Sequence, residues 1–349
     1  MAQDTKIEWC DHTVNFWWGC SKVSPACANC YAERQDAHFH PEVRNPRPNP
    51  VSLAEHWGPD APRLLRVDAG RREALRYERR AVAEGRRFRG FTNSMSDFFE
   101  DRRDLDSARL QALDVIRQTP HLDWLCLTKR PERIMDLLKL AWEEADPDLS
   151  VWLHAWASGD PPANVWLGAT VEDQQRADQR IPALLQVPAA VRFLSCEPLL
   201  GPVRLDQCAP YILGGDDSNP GVMNAFNGMC HHPATVRTMP KVEGTAEGVQ
   251  WVIVGGESGP HARPMHPDWA RGLRDQCAAA GVPFLFKQWG SLEPMGTTDG
   301  RQILPFGTYL LPGTPGAPSG GFGFIHSRGK GHRLLDGVEH NGYPEVGRG

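Results

Sequence analysis

Trp124-Leu125-Cys126-Leu127-Thr128-Lys129-Arg130-Pro131-Glu132-Arg133-Ile134-Met135-Asp136-Leu137-Leu138 decides the fold class. Its first five residues are mostly apolar and do not alternate, the pattern of a strand buried on both faces. Two cations follow. Pro131 then stands where a first helical turn tolerates proline, and Ile134, Leu137, Leu138 and Leu140 recur at helical spacing. A strand that runs through a polar turn into a helix is the repeating unit of a parallel sheet. The same signature recurs along the chain. Strands are predicted at residues 14–18, 88–92, 165–170, 191–195, 251–254 and 283–287. Helices are predicted at residues 105–119, 131–142, 171–185 and 267–280, with Gly281 as a helix stop. The expected fold class is α/β: a complete or partial parallel (β/α) barrel, TIM-barrel-like, with an inserted loop-rich excursion.

The chain has 349 residues, enough for about two domains or one barrel. The reading places a barrel-like domain at 1–290, with insertions near 45–90 and 208–248, and a loop-rich C-terminal extension at 291–349. Hydrophobic residues make up 40% and charged residues 23%, so a core can form and disorder is excluded for most of the chain. The formal net charge of -5 removes any global positive field as an advertisement for nucleic acid. No run approaches the ~20 apolar residues of a membrane span, so no membrane partner is expected. Asp4, Glu8 and Asp11 interrupt the apolar core a signal peptide needs. Nine cysteines in a long chain suit a reducing, cytoplasmic setting, where clustered thiols mean metal or catalysis more often than cross-links.

The sharpest chemical signal is Gly19-Cys20-Ser21-Lys22-Val23-Ser24-Pro25-Ala26-Cys27-Ala28-Asn29-Cys30-Tyr31-Ala32. Cys20, Cys27 and Cys30 follow a predicted strand in a C-x6-C-x2-C pattern. In a parallel α/β unit that is the end of the strand where sites are built. Three thiolates suit two centres. A structural zinc needs a fourth ligand, for which Cys10 or His12 is near in sequence. A four-iron–four-sulfur cluster on three cysteines leaves one iron open for the amine and carboxylate of S-adenosylmethionine.

Further motifs carry a resemblance. They are Ile7-Glu8-Trp9, Cys30-Tyr31-Ala32-Glu33, Ser94-Met95-Ser96-Asp97, Leu127-Thr128-Lys129-Arg130-Pro131-Glu132-Arg133 and Trp166-Leu167-Gly168-Ala169-Thr170-Val171-Glu172. Later come Glu197-Pro198-Leu199-Leu200-Gly201-Pro202, Val252-Ile253-Val254-Gly255-Gly256-Glu257-Ser258-Gly259, Phe286-Lys287-Gln288-Trp289-Gly290 and Leu334-Leu335-Asp336-Gly337. Together they resemble an uncharacterised bacteriophage and bacterial three-cysteine family, a domain-of-unknown-function family often named after phage gene products. That family in turn resembles the radical S-adenosylmethionine enzymes, among them spore photoproduct lyase, by its βα order and its cysteine loop after the first strand. The usual spacing there is C-x3-C-x2-C. The resemblance implies an iron–sulfur enzyme that cleaves S-adenosylmethionine to a deoxyadenosyl radical, served by a reducing partner, with nucleic acid or a nucleotide as substrate class. The rival expectation is a non-enzymatic zinc protein that binds nucleic acid or a protein partner.

Other candidates end the remaining strands. Ser94 and Asp97 follow the second, and Asp97 suits the methionine ammonium as an acceptor. Lys129 and Arg130 stand at a helix start, where a carboxylate or phosphate binds well. Glu172 and Glu197 each follow a strand. Glu197 has an apolar context and needs a partner, with Lys129 or Arg130 the expected one. Cys196 is a weak candidate hydrogen-atom donor. Gly255, Gly256 and Glu257 form a glycine turn suited to close approach of a ligand. Residues 63–89 hold ten Arg against four acids, read mainly as a solvated helix with its own ion pairs. Cys208 with Cys230, His231 and His232 is a candidate second metal site in the excursion.

Overall fold

The computed structural model describes residues 5–39, 56–211, 221–232, 235–238, 247–297, 309–310, 322–327 and 331–345. The chain begins with β1 (His12–Thr13), β2 (Trp17–Trp18), α1 (Tyr31–Phe39), β3 (Leu64–Leu65), α2 (Val67–Glu84), β4 (Phe88–Thr92) and α3 (Asp106–Arg117). It continues through β5 (Leu122–Thr128), α4 (Ile134–Glu144), α5 (Pro147–Ala157), β6 (Val165–Thr170), α6 (Gln174–Leu185) and β7 (Val191–Cys196). Then come β8 (Cys208–Tyr211), β9 (Gly221–Met223), β10 (Met229–His232), β11 (Thr235–Thr238), β12 (Trp251–Gly255), α7 (Pro267–Ala280) and β13 (Phe284–Gln288). The last strands are β14 (Leu292–Thr297), β15 (Tyr309–Leu310), β16 (Phe322–His326), β17 (Leu334–Leu335) and β18 (Val338–Glu339).

Seven strands form one sheet in the order β1-β4-β5-β6-β7-β12-β13, with parallel registers at β1/β4, β4/β5, β5/β6 and β12/β13. Strand order follows chain order without reversal, which is the winding of a (β/α) barrel rather than of a doubly wound sheet. β1 and β13 are its two ends, so the barrel is partial. Every residue of β6, β7 and β12 is buried, as the unalternating apolar runs predict.

Two compact units divide the chain. One comprises Met1–Ala169, Arg180–Phe193 and Thr238–Gly248; the other comprises Thr170–Gln179, Leu194–Arg237 and Val249–Gly349.

Three expectations change. The predicted first strand at 14–18 splits. Val14 continues the β1 ladder by donating its N–H to the Phe91 carbonyl at 3.0 Å. Phe16 N–H then turns to the Asn93 side chain at 3.0 Å, and Trp17–Trp18 pairs antiparallel with β3 instead. The excursion is not irregular: β11-β10-β9-β8 form a four-stranded sheet. Strands of three or four residues are too short to show a period. The third change is in the extension. Phe286 N–H donates to His340 O at 3.0 Å and Gly342 N–H to Phe284 O at 2.9 Å, so residues 340–342 cover the outer edge of β13. Among the described residues no helix is long and apolar enough to cross a membrane.

Candidate metal centre

The cysteine loop leaves β2 and is held by backbone bonds. Gly19 N–H donates to Met95 O at 3.1 Å, and Gly58 N–H to Cys20 O at 3.0 Å. Gly19 is obligatory here: its φ is +100°, and a Cβ would lie 2.1 Å from the His56 carbonyl oxygen. Cys27 ends a single 3-10 turn, Pro25–Cys27, and its Sγ lies 3.8 Å from Ser24 Oγ. Cys30 stands immediately before α1, whose Ala32 and Glu33 amides donate to its sulfur. Cys20 and Cys30 pack together against Ala32, Trp57 and Met95.

Beneath the loop lies a buried charge network. Glu100 Oε1 accepts from Ser21 N–H at 2.9 Å. Arg63 grips both oxygens of Glu100, at 2.9 and 2.7 Å, and donates to Ser21 Oγ at 2.9 Å. Arg130 donates to Ser21 O at 2.9 Å, to Asp97 Oδ2 at 2.8 Å and, at 3.8 Å, to Cys20 Sγ. Asp97 accepts four bonds in all. The others come from Thr128 Oγ1 at 2.6 Å, Phe99 N–H at 3.0 Å and Lys129 N–H at 3.0 Å. Those four bonds fill the acceptor sites of a carboxylate. Asp97 therefore anchors the turn after β5 in this structure, in place of the free acceptor expected for a ligand ammonium. Ser94 is likewise engaged. Asn15 Nδ2 donates to its Oγ at 3.0 Å, and the Tyr31 hydroxyl donates to its carbonyl at 2.6 Å.

The three thiols are electrostatically unequal. Burial, with Asp97 and Glu100 nearby, pushes Cys20 up to about 12 against the pull of Arg130. Burial also raises Cys30, opposed by the Glu33 amide and the Lys129 ammonium. Burial disfavours the Cys27 thiolate too. There the Lys129 ammonium and the Val23 and Ser24 amides outweigh it, and the thiol falls below its usual value. The Lys129 ammonium is thus near enough to favour both the Cys27 and the Cys30 thiolate. Among the described residues its ammonium makes no ion pair with a carboxylate.

The fourth ligands proposed for zinc sit elsewhere. The His12 ring stacks on Tyr77 at 3.7 Å and meets Phe88, the first residue of β4, edge-on at 5.0 Å. The cysteine loop instead bonds to Met95, beyond the last residue of β4. Cys10 is buried, with its thiol 3.9 Å from Ile7 O. Among the described residues no three His, Cys, Asp or Glu side chains are placed to hold one metal ion. The side chains of Cys230, His231 and His232 lie outside the described residues. The Cys208 thiol lies 3.7 Å from Arg204 O and 3.7 Å from Leu205 O.

The remaining candidates belong to the second unit. Glu197 Oε1 pairs with Lys287 Nζ at 2.8 Å, so its partner is Lys287 of β13 rather than Lys129 or Arg130. Glu257 is held by Arg263 Nη2 at 2.5 Å and by Arg263 N–H at 2.8 Å. Glu172 and Cys196 are fully buried, and burial raises the Cys196 thiol well above its usual value. The glycine turn serves the protein's own packing. A Cβ on Gly255 would lie 2.5 Å from Glu197 Oε1, and one on Gly256 would lie 1.8 Å from Trp289 O. Gly256 N–H is also spent, on Gln288 O at 2.9 Å. The expected open anion cradle is therefore filled.

Gly256→Ala is expected to cost about 1–3 kcal/mol, because backbone must move to admit the methyl. Gly272→Ala, which meets nothing within 4 Å on α7, is expected to gain about 0.4–1 kcal/mol. Chemical denaturation of the two variants beside the parent checks both signs.

Asn15, Arg63 and Glu100 were not singled out from sequence. Glu100 had a signal: it follows Phe98-Phe99, and a carboxylate in apolar surroundings needs a partner. Arg63 had none, since its partner lies 37 positions away.

The model of the family described as "Protein of unknown function (DUF5131)" matches residues 4–344, and the chain belongs to that family. No curated protein and no solved structure matches the chain.

Proposed function

We propose that this family member is an iron–sulfur enzyme of the radical S-adenosylmethionine type, with Cys20, Cys27 and Cys30 as ligands of a four-iron–four-sulfur cluster. The observation that carries the reading is one loop, leaving β2 (Trp17–Trp18), that sets three thiols near two cations. Arg130 reaches Cys20, and the Lys129 charge favours the thiolates of Cys27 and Cys30. The donor set fits. Thiolates are the ligands such clusters use, and N–H bonds to the sulfurs tune them. Such bonds are present from Val23, Ser24, Ala32 and Glu33. A cluster spreads its three thiolates over separate irons, whereas one zinc needs donors converging on a point with a fourth ligand. The positions of His12 and Cys10 weigh against zinc.

Cys20, Cys27 and Cys30 would hold the cluster, whose chemistry when bound would be the supply of one electron, taken from a reducing partner, for splitting S-adenosylmethionine into methionine and a deoxyadenosyl radical. The chain's own residues have narrower tasks. Lys129 offers an ammonium for a ligand carboxylate. Asp97 fixes the turn that carries it. Glu100 and Arg63 hold Ser21, and so set the position of Cys20.

The test is composition. Protein purified without oxygen is expected to carry about four iron and four sulfide per chain with a visible chromophore. Cys27→Ala is expected to lose both. With dithionite and S-adenosylmethionine the parent is expected to release 5′-deoxyadenosine. One zinc per chain, with no chromophore after iron reconstitution, overturns the reading.

A further inference from the structure

We infer that the face of the first unit beside the cysteine loop binds single-stranded nucleic acid. Trp18 is its centre. It packs against the Ala32, Trp57 and Met95 cluster, as Cys20 and Cys30 do. The Arg66 guanidinium lies 4.8 Å from its ring centroid, and the Phe39 ring lies 5.9 Å away. The β2/β3 register sets this up: Trp18 is paired with Leu64, so Arg66, two residues on, comes to the indole. Phe39 is 55% exposed, and Leu65 of β3 is 54% exposed. Tyr31, next to Cys30, is 48% exposed, and its hydroxyl bond to Ser94 O holds the ring in place. Exposed aromatic faces fixed at one end are suited to stacking bases of any sequence.

Charge selects the occupant. Arg66, Arg72 and Arg76 surround a single carboxylate, Glu73. Of the other acids on these elements, Glu33 pairs with Lys22 at 2.7 Å, Asp36 is buried against His56 and Trp57, Glu78 pairs with His121 at 2.6 Å, and Glu84 pairs with Arg80 and Arg86 at 2.5 and 2.9 Å. Asp68 remains exposed on the first turn of α2. A positive track beside aromatic platforms matches a flexible polyanion whose bases are unstacked. A duplex hides its bases and offers only phosphates. That the bound strand is also the substrate rests on the reading of the cysteine loop; the binding itself does not.

The experiment uses the full chain, as isolated and after iron removal, with a fluorescein-labelled 15-mer of thymidylate followed by anisotropy. The expected result is saturable binding in both forms, tighter than to a duplex of equal length. Three arginine contacts imply a log–log salt slope of about -2. Phe39→Ala is expected to weaken binding about tenfold. Arg66→Ala with Arg72→Ala is expected to weaken it and flatten the slope by about 1.4. Circular dichroism and iron content confirm that the variants fold. Unchanged affinity in folded variants, equal affinity for duplex, or binding to anionic phosphatidylglycerol vesicles without binding to the oligonucleotide overturns the inference. Iron, sulfide and deoxyadenosine release would be untouched by that failure. Strand binding without iron would instead retain this surface and reject the enzyme.

Discussion

Arg63→Ala is expected to lower the folding free energy by about 3–5 kcal/mol, because it strands a buried carboxylate. The Arg63 side chain is 1% exposed and that of Glu100 is 3%. Both Glu100 oxygens are bonded to Arg63, which also donates to the carbonyls of His56, Gly58 and Ala61. Removing the guanidinium leaves those acceptors without their donor and Glu100 without its main counter-charge, in a place water does not reach. Ser21 loses its Oγ partner in the same step, and Ser21 is the residue after Cys20. The cluster proposed for this loop should therefore load poorly even in the fraction that folds. Urea denaturation gives the stability loss, and iron per folded chain gives the second effect. The double change Arg63→Met with Glu100→Met should recover much of the stability, since a buried pair replaced by apolar groups of similar volume is often neutral. It should not recover iron loading, because Glu100 also accepts the Ser21 N–H. A loss under about 1 kcal/mol would class the pair with solvated ion pairs.

The sheet was legible because parallel strands advertise themselves. β4 and β6 occur at the residues their apolar runs predict, and α7 spans Pro267–Ala280 as its period and Gly281 imply. Burial on both faces leaves no polar position to blur such runs. α5 was missed. Its cap is Asp146 with Pro147 at the first turn, but its apolar residues Leu149, Leu153 and Trp156 follow α4 so closely that the two read as one segment. The cysteine loop was legible from spacing alone. The partners were not. Asp97–Arg130, Glu100–Arg63 and Glu197–Lys287 join residues 33, 37 and 90 positions apart, and nothing local says which cation meets which carboxylate. The need of Glu197 for a cation is real, but the cation is Lys287 and not Lys129 or Arg130, which sits on Asp97. The glycine turn erred in the same way: Gly255 and Gly256 do admit a close neighbour, but the neighbours are Glu197 and Trp289 of the chain itself.

Asp97→Ala is the second large effect, expected at about 3–5 kcal/mol, since it leaves the Arg130 guanidinium buried without its carboxylate. Asp97→Asn should cost less. The amide oxygen still accepts from Thr128 or Phe99, but the charge that holds Arg130 is gone. The parent should reveal the same interaction through pH. Burial opposes the Asp97 carboxylate, yet Arg130, Thr128 and the Lys129 amide outweigh it and hold its pKa below the usual 3.8. A carboxylate depressed on folding contributes stability above its unfolded pKa and loses it as pH falls through the folded value. The contribution is thus complete above about pH 5 and withdrawn progressively in more acid solution. In Asp97→Asn that part of the acid slope should vanish, so the parent and variant stability curves converge as pH falls. The sign also bears on the site. Protonating Asp97 frees Arg130 and loosens the turn that presents Lys129 to Cys27 and Cys30. If the loop holds the proposed cluster, loss of its visible chromophore on acidification should then set in at a higher pH in Asp97→Asn than in the parent. Stability curves that stay parallel down to pH 3 would show that Asp97 does not anchor that turn.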